Sequence, residues 1–361
     1  MAARSRTPGV RRLSAMAMSA SLATPVSLAE AVQAMGFVQY DPIRRPARAQ
    51  DLILHQRVAR YRAGDLDRAY AGLGLEENFF YTYGAMPPDV MSLLHPRAQR
   101  KNPGRRYRPA GLVADVHAVI RERGHTHPRD LVAHFGRVRA VNDWGGFSAA
   151  TTRALEELHY YGLVRVAHRV NGTKVYEACS PPAQELTPAE RLRALALRIA
   201  RILAPVSVPS LRSALTQLQN TGGALPGRAT VIGELLASGA LETEVVDDVQ
   251  YVWPADVVTT GVARRVRLLA PFDPIVWDRR RFEHLWGWPY RFEAYTPGAK
   301  RQFGYYALPM FWGDNAVGWV NLERGDGKLG VERHFAGRPL AGADFRRSFD
   351  LEVARMEAML G

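Results

Sequence analysis

The chain has 361 residues, 47% of them hydrophobic, enough for two or three cores at roughly 100–200 residues per domain. Its formal net charge of +13 favours a polyanionic partner, because each phosphate neutralised by a cation releases condensed counterions. The single cysteine, Cys179, excludes a disulfide framework and any cysteine-based zinc or iron–sulfur site, and no apolar run approaches the ~20 residues of a membrane helix; a cytoplasmic, nucleoid-associated location is expected.

A basic arm with Arg4, Arg6, Arg11 and Arg12 leads into a helix over Leu13 to Ala23. Pro25 separates it from a second helix, Ser27 to Met35, whose Ser27 and Glu30 have the spacing of a capping box. The stretch Gly36 to Asp41 is extended and β-branched or aromatic, so it reads as a short strand that Pro42 ends. Arg48 to Tyr61 and Asp65 to Leu73 are helical. Pro96 to Pro109, with Arg97, Arg100, Lys101, Arg105, Arg106 and Arg108 and no acid among them, reads as a solvated linker or a phosphate contact.

Gly111 to Gly124 is a helix with apolar residues at 112, 113, 116, 119 and 120. His127-Pro128-Arg129-Asp130 opens a second, and after Asp143-Trp144-Gly145-Gly146, Ser148 caps a third that runs to Tyr161. A hairpin follows across Asn171-Gly172. Three helices and a hairpin is the winged-helix order, in which the third helix usually enters the major groove. The pattern recurs in Leu186 to Ala204, Ser207 to Leu218, Arg228 to Ser238 and a hairpin across Asp247-Asp248. Beyond Val262, short aromatic and β-branched runs (290–295, 304–309, 316–322, 328–332) alternate with Gly turns before a final helix, Ala343 to Leu360. The expected fold is mainly α with β wings (α+β), tandem winged-helix units followed by a small C-terminal antiparallel β-barrel. The expected divisions are 1–95, 96–182, 183–262 and 263–361.

H-E-x-x-H, C-x-x-C, P-loop and G-x-S-x-G motifs are all missing. His125, His127 and His134 read as surface histidines of a helix-turn-helix rather than metal ligands. No metal and no cofactor is expected. Gln39 and Asp41, two residues apart in a strand, project to one face about 6.5–7 Å apart. An amide and a carboxylate so placed can hold one water, the arrangement that N-glycosidic cleavage needs. Asp41-Pro42 starting a turn, with Gln39 at a strand edge, explains the same residues.

Leu28 to Leu54, which contains Gln39-Tyr40-Asp41, resembles the segment of the YcaQ-like bacterial DNA glycosylases that carries their Gln-x-Asp or Gln-x-Gln pattern. Leu269 to Arg281 is similar to that family's Pro-Phe-Asp-Pro…Trp-Asp-Arg-Arg-Arg block, and Tyr295 to Pro309 to its hairpin with Lys-Arg and Gly-Tyr-Tyr. The resemblance spans Arg12 to about Glu332. It implies three winged-helix units and a small barrel around a DNA channel, and removal of alkylated purines or of crosslinks joining opposite strands. It also implies Gln39 and Asp41 as catalytic positions and the hairpin around Lys300 and Arg301 as a DNA contact. Arg44, Arg45, Arg48, Tyr83 and Tyr295 are further candidate DNA-binding residues. One departure stands out: where many members read Tyr-Trp-Ala-His, this chain has Tyr81-Thr82-Tyr83-Gly84, without the histidine. The expected partner is double-stranded DNA with alkylated or crosslinked purines, the expected state a monomer and the expected product an abasic site. A winged-helix DNA-binding regulator without catalysis, and a scaffold that binds proteins through its barrel, are the alternatives the residues leave open.

Overall fold

The computed structural model describes residues 6–22, 27–97, 107–141, 147–181, 185–222, 225, 227–325 and 328–361. Contacts divide the chain into two compact units. One comprises Met1–Leu66, Ala196–Ser213 and Ala229–Gly361, the other Asp67–Leu195 and Ala214–Arg228.

The first unit is built around aromatic packing. Helix Pro8–Ser21 starts at an N-cap, Thr7, whose hydroxyl accepts from the Val10 N–H. It lays Val10, Leu13, Met16 and Ala17 on a core of Phe282, Trp286, Trp288, Tyr290, Phe303 and Phe311. Helix Leu28–Met35 has the expected capping box, with both reciprocal bonds between Ser27 and Glu30. The second expected hairpin, Leu241–Val246 with Val249–Pro254, turns at Asp247 and Asp248, both with positive φ. A short strand, Val206–Ser207, pairs on its other side.

The C-terminal part of this unit departs from expectation. Its sheet has four antiparallel strands in sequence order, Val266–Leu268, Leu308–Trp312, Asn315–Arg324 and Leu329–Phe335. Among the described residues the first and last strands do not pair, so the sheet is open and not a closed barrel. Helix Ala343–Leu360 lies against the first strand instead, where the Ser348 hydroxyl accepts from the Val266 N–H at 2.8 Å. The aromatic runs 290–295 and 304–307 are loops rather than strands. Tyr290 and Tyr306 of these runs are buried, which satisfies the hydrophobic drive without a ladder of backbone hydrogen bonds, while Tyr295 and Tyr305 stay exposed. Tyr290 sits 5.9 Å from Phe303, and Phe303 5.0 Å from Trp319.

The second unit contains three helices, Leu112–Arg123, Pro128–Phe135 and Ala150–Tyr160, followed by the hairpin Val164–Val170 with Thr173–Ala178. That is the element order read from the sequence. Asn171 and Gly172 turn the hairpin at φ 50° and 82°, values that suit a two-residue turn of the primed type. Val116, Ile120, Leu131, Leu155, Leu158, Val164 and Tyr176 fill the core between helices and hairpin. The third helix is capped by Ala149, not Ser148, because Phe147–Ala149 pairs with Arg139–Val141 as a small ladder. Most of the expected basic linker, residues 98–106, and the 143–146 stretch lie outside the described residues. Arg97 is no solvated linker charge: it is buried, donates to the Asn78 side chain at 2.9 Å and lies 4.4 Å over the Tyr160 ring.

Candidate active site

Gly36 ends helix Leu28–Met35 at φ 64°, and a Cβ there would meet the Arg198 side chain at 2.8 Å. Only glycine makes that turn without strain. The chain leaves it through Phe37 and Val38, both fully buried, which anchor the segment and deliver Gln39, Tyr40 and Asp41 half-buried. The strand itself is only Val38–Gln39, shorter than the sequence suggests, so Asp41 stands past its end and the pleat does not set its direction. Asp41 Oδ1 accepts from the Ile43 N–H at 2.9 Å, an Asx turn that begins at the residue before Pro42. Among the described residues this is the carboxylate's one hydrogen bond. Burial raises the Asp41 pKa above the ordinary carboxylate value, and the Ile43 N–H opposes it only in part. The Gln39 Oε1 is buried and accepts no hydrogen bond among the described residues.

The arginines that follow have unlike surroundings. Arg44 is exposed. Arg45, also exposed, pairs with Glu323 at 3.3 Å and lies 5.8 Å over the Tyr305 ring. Arg48 is half-buried and its Nε meets Asp51 at 3.3 Å. Asp51 is buried and also accepts from the Tyr61 hydroxyl at 2.9 Å and the Gly64 N–H at 2.8 Å, so Arg48 belongs to an internal network.

The loop 292–306 comes to the same place. Its shape is fixed from within by Glu293, a buried carboxylate that accepts from the Gln302 and Phe303 N–H groups, each at 2.8 Å. Asn321 donates to the Phe303 carbonyl at 2.9 Å, and a Cβ at Gly304, where φ is 118°, would run into that same amide. On the outer side, Tyr295 is 81% exposed and Tyr305 40%. Lys300 closes an exposed 3-10 turn, Gly298–Lys300. Arg301 donates to the Thr296 carbonyl at 2.8 Å and lies 5.0 Å over Tyr305, so that one ring has Arg45 and Arg301 beside it. Next to it, Tyr306 turns inward, 5% exposed, against Phe292 at 5.5 Å and Phe272 at 6.5 Å. Two exposed tyrosines and the basic side chains of this loop, with Arg45 over one of the rings, suit a nucleic-acid strand, which offers phosphates to cations and bases to aromatic faces.

The 272–281 block has a different character. Asp273 is fully buried and takes both terminal nitrogens of Arg57, at 2.7 and 3.0 Å, besides capping helix Pro274–Trp277 through the Ile275 N–H. Asp278 caps helix Arg279–Trp286. Arg281 is buried and donates to four carbonyls, those of Leu203, Pro205, Pro274 and Ile275.

The family model for DNA glycosylase AlkZ-like proteins matches residues 32–359. The chain belongs to the AlkZ-like DNA glycosylases. Its fold is similar to that of DNA glycosylase AlkZ of Streptomyces sahachiroi, with a TM-score of 0.64, 13% identity, and 98% of this chain and 97% of that one covered. In the block 272–281 Asp273 is held by Arg57 and Arg281 by four carbonyls, while Asp278 caps its helix through Oδ1 and its buried Oδ2 has no hydrogen-bond partner among the described residues. In the other unit Tyr83 is half-buried, donates its hydroxyl to the buried Glu77 at 2.9 Å and carries Lys174 4.1 Å over its ring. Glu77 also accepts from Arg169. Gly84, at the position of the family histidine, is buried in strand Tyr83–Met86. The sequence reading missed Tyr305 and Tyr306, although both lie in the Gly-Tyr-Tyr of the resemblance. What would have singled them out is that one is exposed and its neighbour is not.

Among the described residues no group of three or more His, Cys, Asp and Glu is placed to hold a metal ion, and no helix is long and apolar enough to cross a membrane.

Proposed function

We propose that this AlkZ-like glycosylase hydrolyses the N-glycosidic bond of N7-alkylated purines in double-stranded DNA, and unhooks interstrand crosslinks made through the same atom. The observation that carries the reading is the state of Asp41. It is a half-buried carboxylate with one backbone hydrogen bond among the described residues, in the segment whose Arg45 lies over Tyr305 together with Arg301.

An N7-alkylated purine is already cationic, so its departure needs no strong acid. Water, held by Asp41 and Gln39, bonds to C1′. The electrons of the C1′–N9 bond leave with the base and cancel its positive charge, and a water proton passes to the Asp41 carboxylate. The same carboxylate stabilises the positive charge that develops on the sugar, from a site already organised before reaction. Tyr295 and Tyr305 offer stacking faces, and Arg44, Arg45, Lys300 and Arg301 offer phosphate contacts. Helix Ala150–Tyr160 with its hairpin, and the second hairpin across Asp247-Asp248, are proposed as winged-helix elements on the duplex. We assign the organisation 1–95, 96–182, 183–262 and 263–361 to these modules, and a monomer in the cytoplasm, associated with the nucleoid.

The deciding experiment is release of N7-methylguanine from methylated duplex DNA. Wild type should release it, and Asp41→Asn should be slower by on the order of 10²–10³ in single-turnover rate, with affinity for DNA within a few-fold. Normal release by Asp41→Asn would sink the assignment.

The product is proposed to be an intact abasic site. Strand cutting by a glycosylase uses an amine at C1′. Burial does lower the Lys174 pKa to about 8, yet that ammonium is engaged over the Tyr83 ring, with Glu77 as its nearest stabilising charge. Borohydride should therefore trap no protein–DNA adduct. An adduct that disappears in Lys174→Ala or Lys300→Ala would replace water with that lysine.

A further inference from the structure

We propose that Glu323 is a positioning residue of the DNA-binding face, which holds Arg45 in the free protein and competes with a DNA phosphate for it. The inference rests on the reading of Arg45 as a phosphate contact given above. Glu323 stands near the end of strand Asn315–Arg324, two residues beyond Asn321, so the pleat turns both side chains to one face. Asn321 holds the 292–306 loop at the Phe303 carbonyl. The residue directly opposite Glu323 on the next strand is Gly330, which has no side chain to pair with. The Glu323 carboxylate meets Arg45 instead, Oε1 to Nη1 at 3.3 Å. The same guanidinium lies 5.8 Å over Tyr305, the ring that Arg301 also overlies at 5.0 Å. Among the described residues Glu323 is the one carboxylate that forms an ion pair with Arg44, Arg45, Lys300 or Arg301.

Distance and exposure decide what such a pair can do. Arg57 and Asp273 are buried and joined by two bonds, at 2.7 and 3.0 Å, so no anion from solvent parts them. The side chains of Arg45 and Glu323 are 55% and 79% exposed, and their one contact is longer than the roughly 2.7–2.9 Å of a strong charge-assisted bond. An exposed pair of that kind adds little to stability and is easily exchanged. A phosphate offers the guanidinium fork the same anionic oxygens as the carboxylate, in a geometry that suits two of its donors at once. Docking a duplex therefore swaps one anion for another at Arg45. It also leaves Glu323 unpaired beside the phosphate, where the like charges repel. Both effects weaken the grip on DNA. Phosphates carry no information about a lesion, so the handicap falls equally on damaged and undamaged duplex. Its use lies in the search: affinity for undamaged DNA is almost all phosphate contact, and a looser grip lets the protein slide on or leave sooner.

Glu323→Gln tests this, since it removes the charge and keeps the shape. The dissociation constant for duplex DNA should fall about three- to tenfold at low salt, by the same factor for methylated and undamaged duplex. The gain should shrink as salt rises from about 50 to about 200 mM, because the charge interactions removed are screened. It should drop below about twofold when Arg45→Ala is already present, since the contact competed for is then gone. A change in packing alone would follow neither salt nor Arg45. An unchanged dissociation constant in Glu323→Gln, alongside weaker binding by Arg45→Ala, overturns the role of Glu323 and leaves Arg45 a phosphate contact. The full gain persisting in the Arg45→Ala background also overturns it, because the carboxylate then acts on DNA directly and not through Arg45. Arg45→Ala with the affinity and salt slope of wild type removes the reading of Arg45 and this inference with it.

Discussion

Asp273 and Asp41 each precede a proline in the same unit, and each starts a turn with a bond to the N–H two residues on, at 3.0 and 2.9 Å. There the likeness ends. Asp273 is 0% exposed and also holds both terminal nitrogens of Arg57, which itself bonds Ser21 and the Ile53 carbonyl. Among the described residues Asp41 has no such counter-ion, and burial lifts its pKa. A charge with all its partners holds the fold together and has nothing left to offer a substrate. A charge left short of partners costs the fold something and is available for chemistry.

The comparison can be broken most sharply at Asp273. Asp273→Ala strands the Arg57 guanidinium in the interior, and loss of one partner of a buried pair costs about 3–5 kcal/mol. Thermal or urea unfolding should register this as a large fall in stability; a melting temperature near that of wild type would erase the distinction. Asp41→Asn should behave oppositely. Below the unfolded-state pKa both states hold the proton. As pH rises past it, the folded state resists ionisation, so the wild type loses stability through this group up to its raised folded pKa. The variant is free of that loss, and at pH 7 its melting temperature should match or exceed that of wild type.

The smallest effects sharpen the same contrast among the cations. Arg44, Arg45 and Lys300 are exposed and Arg301 half-buried over Tyr305, with no acidic partner holding it, so removing each should flatten the plot of log affinity for DNA against log salt by about one unit. Arg48 is tied to the buried Asp51, so Arg48→Ala should lower stability and leave the slope alone. Equal slopes in all five variants would put the phosphate contacts on another face.

What the sequence made legible was local. The Ser27–Glu30 box, the Asn171-Gly172 and Asp247-Asp248 turns and the helix-helix-helix-hairpin order depend on neighbours a few residues apart, and all are present. Of the C-terminal runs, 316–322 and most of 328–332 are strands as read, but 290–295 and 304–307 are not, because β propensity reports fitness for packing on an apolar surface and Tyr290 finds that burial in a loop. Within the candidate site, Gln39 and Asp41 were singled out by spacing and resemblance, but the strand that was to align them ends at Gln39. Tyr306 could not be told from Tyr305 by residue type. That one is buried and the other exposed is a property of the folded chain alone.

Glu293 gives the 292–306 loop a kind of modularity. One carboxylate inside the loop fixes both backbone N–H groups on the returning side, and Asn321 with Gly304 fixes the exit. None of these constraints reaches the tip. Residues 295 and 298–300 can therefore be exchanged, by natural drift or in a designed library, without rebuilding what supports them. Diversification would be cheapest at that tip, while Glu293, Gly304 and Asn321 stay constant across the variants that still fold.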